Sequence, residues 1–126
     1  MKTRSGHILF PKKIKYRDLA PAFKEILVKF LNETNQVPQE QDALNLLIEE
    51  NVMELKNNKK PEGYNRNGST MRLIFPISDR VEFYVYGGGK NLEVMRITEL
   101  LSRVLSKKKL KHEVEWDKLT MYKGER

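Results

Sequence analysis

The sequence predicts an α+β fold, because segments with helical apolar spacing alternate with short strand-like segments. Leu19, Phe23 and Phe30 illustrate the helical spacing, whereas Val81 and Val85 belong to a strand-like alternation. The helical segments lie within 19–31, 44–55 and 94–105, and the strand-like segments within 7–10, 71–77, 80–86 and from 112 onward.

Length and composition limit the class of protein. The chain has 126 residues and no cysteine, so we expect one domain, residues 1–126, without disulfides, zinc–thiolate sites or thiol chemistry. No apolar run approaches the ~18 residues of a membrane span, and the N-terminal stretch lacks the apolar core of a secretory signal. We therefore expect no membrane association and a cytoplasmic location.

The net charge of +7 is distributed unevenly along the chain. Residues 1–18 hold six Lys and Arg against one Asp, whereas residues 19–56 hold three against seven acidic residues. Residues 57–72 and 107–126 are basic again. Such asymmetry favours an acidic partner, of which nucleic acid is the commonest, and ordinary solubility is the alternative explanation.

The first helix is expected to begin at Asp18, whose carboxylate can accept an early amide hydrogen, with Pro21 in the first turn. The second helix follows Pro38 and is acidic. A helix-turn-helix DNA-binding motif is not expected, because the connection between these two helices is too long and the acidic side chains of the second helix would repel phosphates. The segment 57–70 has no apolar periodicity and is predicted to be a flexible basic loop.

The strands 71–77 and 80–86 are predicted to form a tight hairpin at Ser78-Asp79. Pro76 has no backbone N–H to donate, so the first of them is expected at an edge of the sheet. The last strand starts near His112, and a bulge or turn is expected near Asp117, because Leu119 and Met121 change the phase of the alternation.

The resulting order is strand, helix, helix, strand, strand, helix, strand. Without its second helix, this order is β-α-β-β-α-β, which predicts a ferredoxin-like fold with one added helix. The alternative is an N-terminal helical hairpin packed on a ββαβ unit, with residues 7–10 outside the sheet.

The glycines between the third strand and the last helix suggest two explanations. Free amides of Gly88 and Gly89, with Lys90, offer an anion-binding turn. Neither complete phosphate-binding glycine motif is present, so a simple strand-to-helix turn is the favoured explanation.

Aromatic and basic residues of the third strand predict a nucleic-acid platform. Arg80, Tyr84 and Tyr86 share one side of the predicted strand, where flat rings can stack on bases. The arrangement resembles the architecture of RNA-recognition modules, although the spacing of RVEFYVYG departs from their motif. Phosphate contacts are predicted for Lys59, Lys60, Tyr64, Arg66 and Arg72 and for Lys107, Lys108 and Lys109.

Catalytic signals are weak. Glu113, Glu115 and Asp117 alternate as the ligands of a nuclease metal would, but alternating acids are typical of a solvent-facing strand. His7 and His112 are the only neutral-pH acid–base groups, and no serine lies in a nucleophile elbow. We expect a small non-catalytic nucleic-acid-binding protein without a cofactor. The alternatives are a protein-interaction module, of which a homodimer is one form, and a metal-dependent nuclease.

Overall fold

The computed structural model describes residues 3–88 and 91–118. Within them the chain forms an α+β arrangement of three helices and a four-stranded antiparallel sheet, as the sequence predicts. The elements, in chain order, are β1 (Ser5–Leu9), α1 (Tyr16–Glu33), α2 (Gln41–Lys56), β2 (Arg72–Ile74), β3 (Glu82–Tyr86), α3 (Asn91–Lys107) and β4 (Glu113–Trp116).

The strands lie in the order β2-β3-β1-β4, and every neighbouring pair is antiparallel. His7 of β1 pairs with Tyr84 of β3 on one side and with Glu115 of β4 on the other. Because β1 is a central strand, the alternative that leaves residues 7–10 outside the sheet is wrong. The edge position predicted from Pro76 for the strand 71–77 is confirmed, since β2, which lies within that segment, is an outer strand.

Helices α1 and α3 cover one face of the sheet. Ile8, Phe83 and Val85 alternate toward this face and join the core, which includes the predicted apolar stripes of both helices. Gly6 lets α3 approach β1, because a Cβ at this position would overlap the side chain of Thr98. The opposite face of the sheet, called the second face below, carries the residues at the alternate positions.

Helix α2 packs chiefly on α1 and ties the following loop to the core. The side chain of Asn51 is buried, donates to the carbonyl of Gly63 over 3.2 Å and accepts from its amide over 2.7 Å. Tyr64 then forms an isolated bridge with Leu73 of β2. The loop 57–70 is therefore attached at its centre to both α2 and the sheet.

Three local predictions are corrected. Helix α1 begins at Tyr16, and Asp18 lies in its first turn, where its carboxylate accepts the amide of Lys15 over 2.9 Å; Pro21 consequently lies in the second turn. Strand β1 begins at Ser5, earlier than expected, because its pairing with β3 extends to Tyr86.

The connection between β2 and β3 is longer than the predicted two-residue turn. Strand β2 ends at Ile74, before Pro76, which cannot donate to a ladder, and β3 starts only at Glu82. The Ser78 hydroxyl donates to the Glu82 carboxylate over 3.0 Å across this connection. The turn predicted near Asp117 is confirmed, since β4 ends at Trp116 and Asp117 has φ of 57°.

Among the helices within residues 3–88 and 91–118, none combines the length and the apolar character that crossing a membrane requires.

Candidate nucleic-acid interface

Two of the predicted platform residues lie together on the second face. The register places Arg72 of β2 directly opposite Tyr86 of β3, and Ile74 opposite Tyr84. All three of Arg72, Tyr84 and Tyr86 are half-buried, so part of each side chain faces solvent. We call these three residues the strand face.

Tyr84 is held in place from the sheet side. Its ring stacks on that of His7, with ring centres 4.7 Å apart and planes inclined by 26°. Burial, and secondarily Tyr86, raise the pKa of the Tyr84 hydroxyl above its usual value, while Arg72 acts in the opposite direction. The phenol is therefore neutral at physiological pH, and its ring is supported from below by the ring of His7.

His7 lies on the second face but is completely buried. Its Nε2 shares a 2.8 Å hydrogen bond with the hydroxyl of Ser5, two residues away on the same strand. Burial, reinforced by Lys118 and partly offset by Asp117, lowers the pKa of His7 to about 4. His7 is thus a neutral support for the Tyr84 ring and is shielded from solvent acid–base chemistry.

The edge of the sheet beside β2 adds cations to the strand face. The guanidinium of Arg72 donates to the Asn65 side chain over 3.2 Å. Arg66 lies over the ring of Tyr64, 5.1 Å from its centre. Tyr64 itself is buried against Phe30, so its ring supports Arg66 and is not free to stack on a base.

The other half of the second face is acidic. Glu113 and Glu115 are exposed on β4, opposite Leu9 and His7. Glu82 is buried, and Lys118 reaches to within 4.0 Å of its carboxylate. A polyanion is therefore favoured on the side of β2 and β3 and disfavoured on the side of β4.

Arg80 does not share the strand face, contrary to the expectation from strand alternation. It lies in the connection before β3, because the strand starts only at Glu82. Arg80 therefore precedes the start of β3 and Tyr86 ends it, and the six residue steps between them span at most about 20 Å. Arg80 instead lines a cavity of about 820 Å³ between the end of β1 and the connection from α3 to β4.

We call this cavity the basic groove. Besides Arg80, its charged and hydrogen-bonding walls include Ser102, Lys109, Lys111 and His112. Of the three predicted lysines at the end of α3, Lys109 lines the groove, Lys108 pairs with Glu25 over 3.1 Å, and Lys107 is exposed.

The groove contains a pair that sequence analysis missed. Oγ of Ser102 and Nε2 of His112 are 2.6 Å apart, and Nδ1 of His112 is 2.8 Å from the carbonyl oxygen of Leu110. The carbonyl only accepts, so Nδ1 carries a proton, and in the neutral ring Nε2 accepts from the serine hydroxyl. Ten residues and the end of α3 separate the pair, and no local motif marks such a contact.

The remaining predicted contacts are dispersed. Lys59 is exposed, and the ammonium of Lys60 donates to the carbonyl of Phe75 over 3.2 Å. In the predicted anion-binding turn Gly88 is exposed, while Gly89 and Lys90 lie outside the described residues. Leu119 and Met121 lie outside them as well.

The acidic residues suggested for a nuclease metal are not assembled into a cluster. In residues 3–88 and 91–118 no group of three or more His, Asp or Glu side chains is placed to hold a metal ion. The carboxylate of Asp117 accepts hydrogen bonds from the backbone amides of Arg4 and Ser5, over 2.7 and 3.4 Å. Asp117 therefore joins the end of β4 to the start of β1.

Comparison with known proteins gives no relative from which a function can be carried over. No protein-family model, curated protein or solved structure matches this chain.

Proposed function

We propose that this protein binds single-stranded nucleic acid without catalysis, using the strand face and the neighbouring basic loop. The observation that supports the proposal most strongly is the register pair of Arg72 and Tyr86, which sets a cationic residue directly opposite an aromatic residue, both of them half-buried. A base stacks on such a ring and its phosphate lies beside the cation. Tyr84 supplies a second ring.

The local charge supports the same function. Arg66 is exposed at the β2 edge, Arg72 is half-buried, and the loop 57–70 adds Lys59 to the basic margin. A single strand is favoured over a duplex, because a flat strand surface presents its rings to unpaired bases and offers no helix to a groove.

The direct test is fluorescence anisotropy with mixed-sequence RNA, single-stranded DNA and duplex DNA at two ionic strengths. With two to four phosphate contacts, log K against log salt concentration is expected to fall with a slope of about −1.5 to −3 for single strands. Absence of binding at low salt to every oligonucleotide would refute the proposal.

A matched pair of variants separates stacking from surface charge. Tyr86→Ala is expected to weaken single-strand binding about 5- to 100-fold, whereas Tyr86→Phe keeps the ring and changes it about twofold or less. Equal affinities of the two variants would show that stacking on this residue has no part in binding.

One observation favours a second candidate function, a protein-interaction module. Leu46 and Met53, seven residues apart on the outer side of α2, are 57% and 61% exposed, among acidic neighbours. Paired apolar side chains of this exposure are typical of a contact surface. Light scattering and oligonucleotide binding distinguish the two candidate functions. A dimer that the substitutions Leu46→Ser and Met53→Ser convert to a monomer, in a protein that does not bind oligonucleotides, supports this alternative.

We also propose that the fold is a ferredoxin-like arrangement in which α2 is the added helix. The strand order β2-β3-β1-β4 with antiparallel neighbours supports it, as does the packing of α2 chiefly on α1. Solution structure determination of a variant in which a short linker replaces α2 tests this assignment, since the sheet order is expected to persist.

A further inference from the structure

The basic groove is a separate feature from the strand face. It is a concave space of about 820 Å³, within the range of about 300–1,000 Å³ that small-molecule sites occupy. Its lining includes three permanent cations, Arg80, Lys109 and Lys111, and one carboxylate, Glu113. The balance of charge in the groove is therefore positive.

One of the cations that line the groove, Arg80, has an unsatisfied hydrogen-bond donor. Its Nε is buried and has no hydrogen-bond partner among residues 3–88 and 91–118. A buried donor without a partner is costly, and an arginine side chain is suited to two-point contact with a phosphate or carboxylate. An anion in the groove would offset the positive charge that Arg80, Lys109 and Lys111 provide.

The end of α3 places the lysines on the groove wall. Lys109 has φ of 61°, and the amide of Leu110 donates to the carbonyl of Leu105 over 3.0 Å, which closes the helix end as a left-handed C-terminal turn does. The amide of Lys109 donates to the carbonyl of Ser106 over 3.0 Å. These carbonyls are occupied, which weakens the repulsion that a helix C-terminus exerts on an anion.

The pair of Ser102 and His112 fixes the opposite side of the turn. The imidazole bonds both to the α3 hydroxyl and to the carbonyl of Leu110, so it joins the helix to the start of β4. Lys111, between Leu110 and His112, is thereby held beside the groove. Because the hydroxyl of Ser102 is already engaged by the imidazole of His112, the main donors toward an anion are Arg80, Lys109 and Lys111.

We propose that the basic groove binds a small phosphate-bearing molecule, with Arg80 as the central contact and Lys109 and Lys111 as flanking cations. Its volume suits a nucleotide-sized ligand, and its wall residue Arg80 precedes β3, whereas the strand-face residue Tyr86 ends that strand. The site is therefore independent of the proposed nucleic-acid interface, and either proposal stands if the other fails.

Calorimetry of the intact protein with ATP, pyrophosphate and inorganic phosphate at low salt tests the groove. Arg80→Ala is expected to weaken the tightest of these probes about tenfold or more, since a charge-assisted hydrogen bond is lost. The exposed pair Lys109→Ala/Lys111→Ala is expected to weaken it about threefold to tenfold without loss of folding. Lys24→Ala/Lys56→Ala removes the same charge at exposed positions outside both proposed sites and serves as the control, with affinity within about twofold of the parent protein.

Each remaining result contradicts the proposal. If ATP, pyrophosphate and inorganic phosphate all fail to bind at millimolar concentration, the proposal is wrong. If the control pair weakens binding as much as the groove variants do, the effect comes from net charge in general, and the proposal is also wrong. If only oligonucleotides bind and the Lys109/Lys111 variant weakens them, the groove belongs to the nucleic-acid interface and the small-ligand assignment is wrong.

Discussion

The strand face and the basic groove lie near opposite ends of β3, and they hold their functional groups by different means. On the strand face, pairing between neighbouring strands sets Arg72 beside Tyr86. In the groove, a helix end and a long connection bring Arg80 and Lys109 to one cavity. The shared side of Tyr84 and Tyr86 follows from alternation along one strand, whereas the groups that distant segments bring together do not follow from local sequence.

The largest expected effect comes from disturbing the contact that positions α3. Gly6→Ala places a methyl group against Thr98, and unfolding experiments in urea are expected to show a loss of about 3 kcal/mol, at the upper end for overpacking. Because α3 contributes the groove wall and β3 carries the strand face, phosphate affinity is expected to fall more than oligonucleotide affinity.

A double variant provides the control for this change. Thr98→Ala removes part of the obstructing side chain, so Gly6→Ala/Thr98→Ala is expected to be more stable than the sum of the two single changes predicts. Simple additivity would contradict the proposed overlap.

A slightly smaller effect is expected from pH, through His7 beneath Tyr84. Its pKa is about 4 in the folded protein against about 6.5 in an unfolded chain, so below pH 6.5 only the unfolded state gains the proton. Stability is therefore full well above pH 6.5 and falls as pH drops toward 4, by about 2.5 kcal/mol at pH 4.5.

Urea midpoints measured between pH 7.5 and 4.5 check this expectation. His7→Gln removes the titrating group, and the pH dependence of its stability is expected to be shallower than that of the parent protein. An unchanged slope would show that other groups govern the acid sensitivity, and that His7 is not the buried neutral support of the strand face.

The smallest expected effect concerns the helix end at the groove. Lys109 adopts a left-handed conformation, and Lys109→Gly is expected to stabilise the fold by up to about 1 kcal/mol while weakening phosphate binding. Lys109→Ala supplies the comparison, because it removes the same charge and keeps the backbone strain. If both variants lose stability equally, the helix end is not strained.

Helices and strand ends differ in how well they could be predicted from the sequence. The apolar stripes of α1 and α3 could be assigned from spacing alone, because the helical spacing repeats over several turns and one ambiguous residue does not change the assignment. Residues from both stripes are buried as predicted, among them Leu19, Phe23, Phe30, Ile97 and Leu101. The ends of strands are harder to predict, because a short strand has only a few alternating positions. Arg80 was assigned to the strand by alternation, but the ladder begins at Glu82, and this shift moved Arg80 from the strand face to the groove.

The candidate site shows the same division. Tyr84 and Tyr86 were predicted from a strand pattern and do share a face, which Arg72, predicted only as a phosphate contact, joins from β2. Lys107, Lys108 and Lys109, in contrast, form one run in sequence and have three different surroundings. The contact between Ser102 and His112 depends on how the chain turns after α3, a geometry set by Lys109 in a conformation that lysine rarely adopts.

The most direct measurement of whether the two regions act separately is a comparison of two ligands against two variants. Binding of a mixed-sequence RNA and of ATP is measured with the parent protein, Tyr86→Ala and Arg80→Ala. The RNA is expected to be weakened chiefly by Tyr86→Ala and ATP chiefly by Arg80→Ala. Equal losses of both ligands in both variants would contradict the separation and indicate a single site.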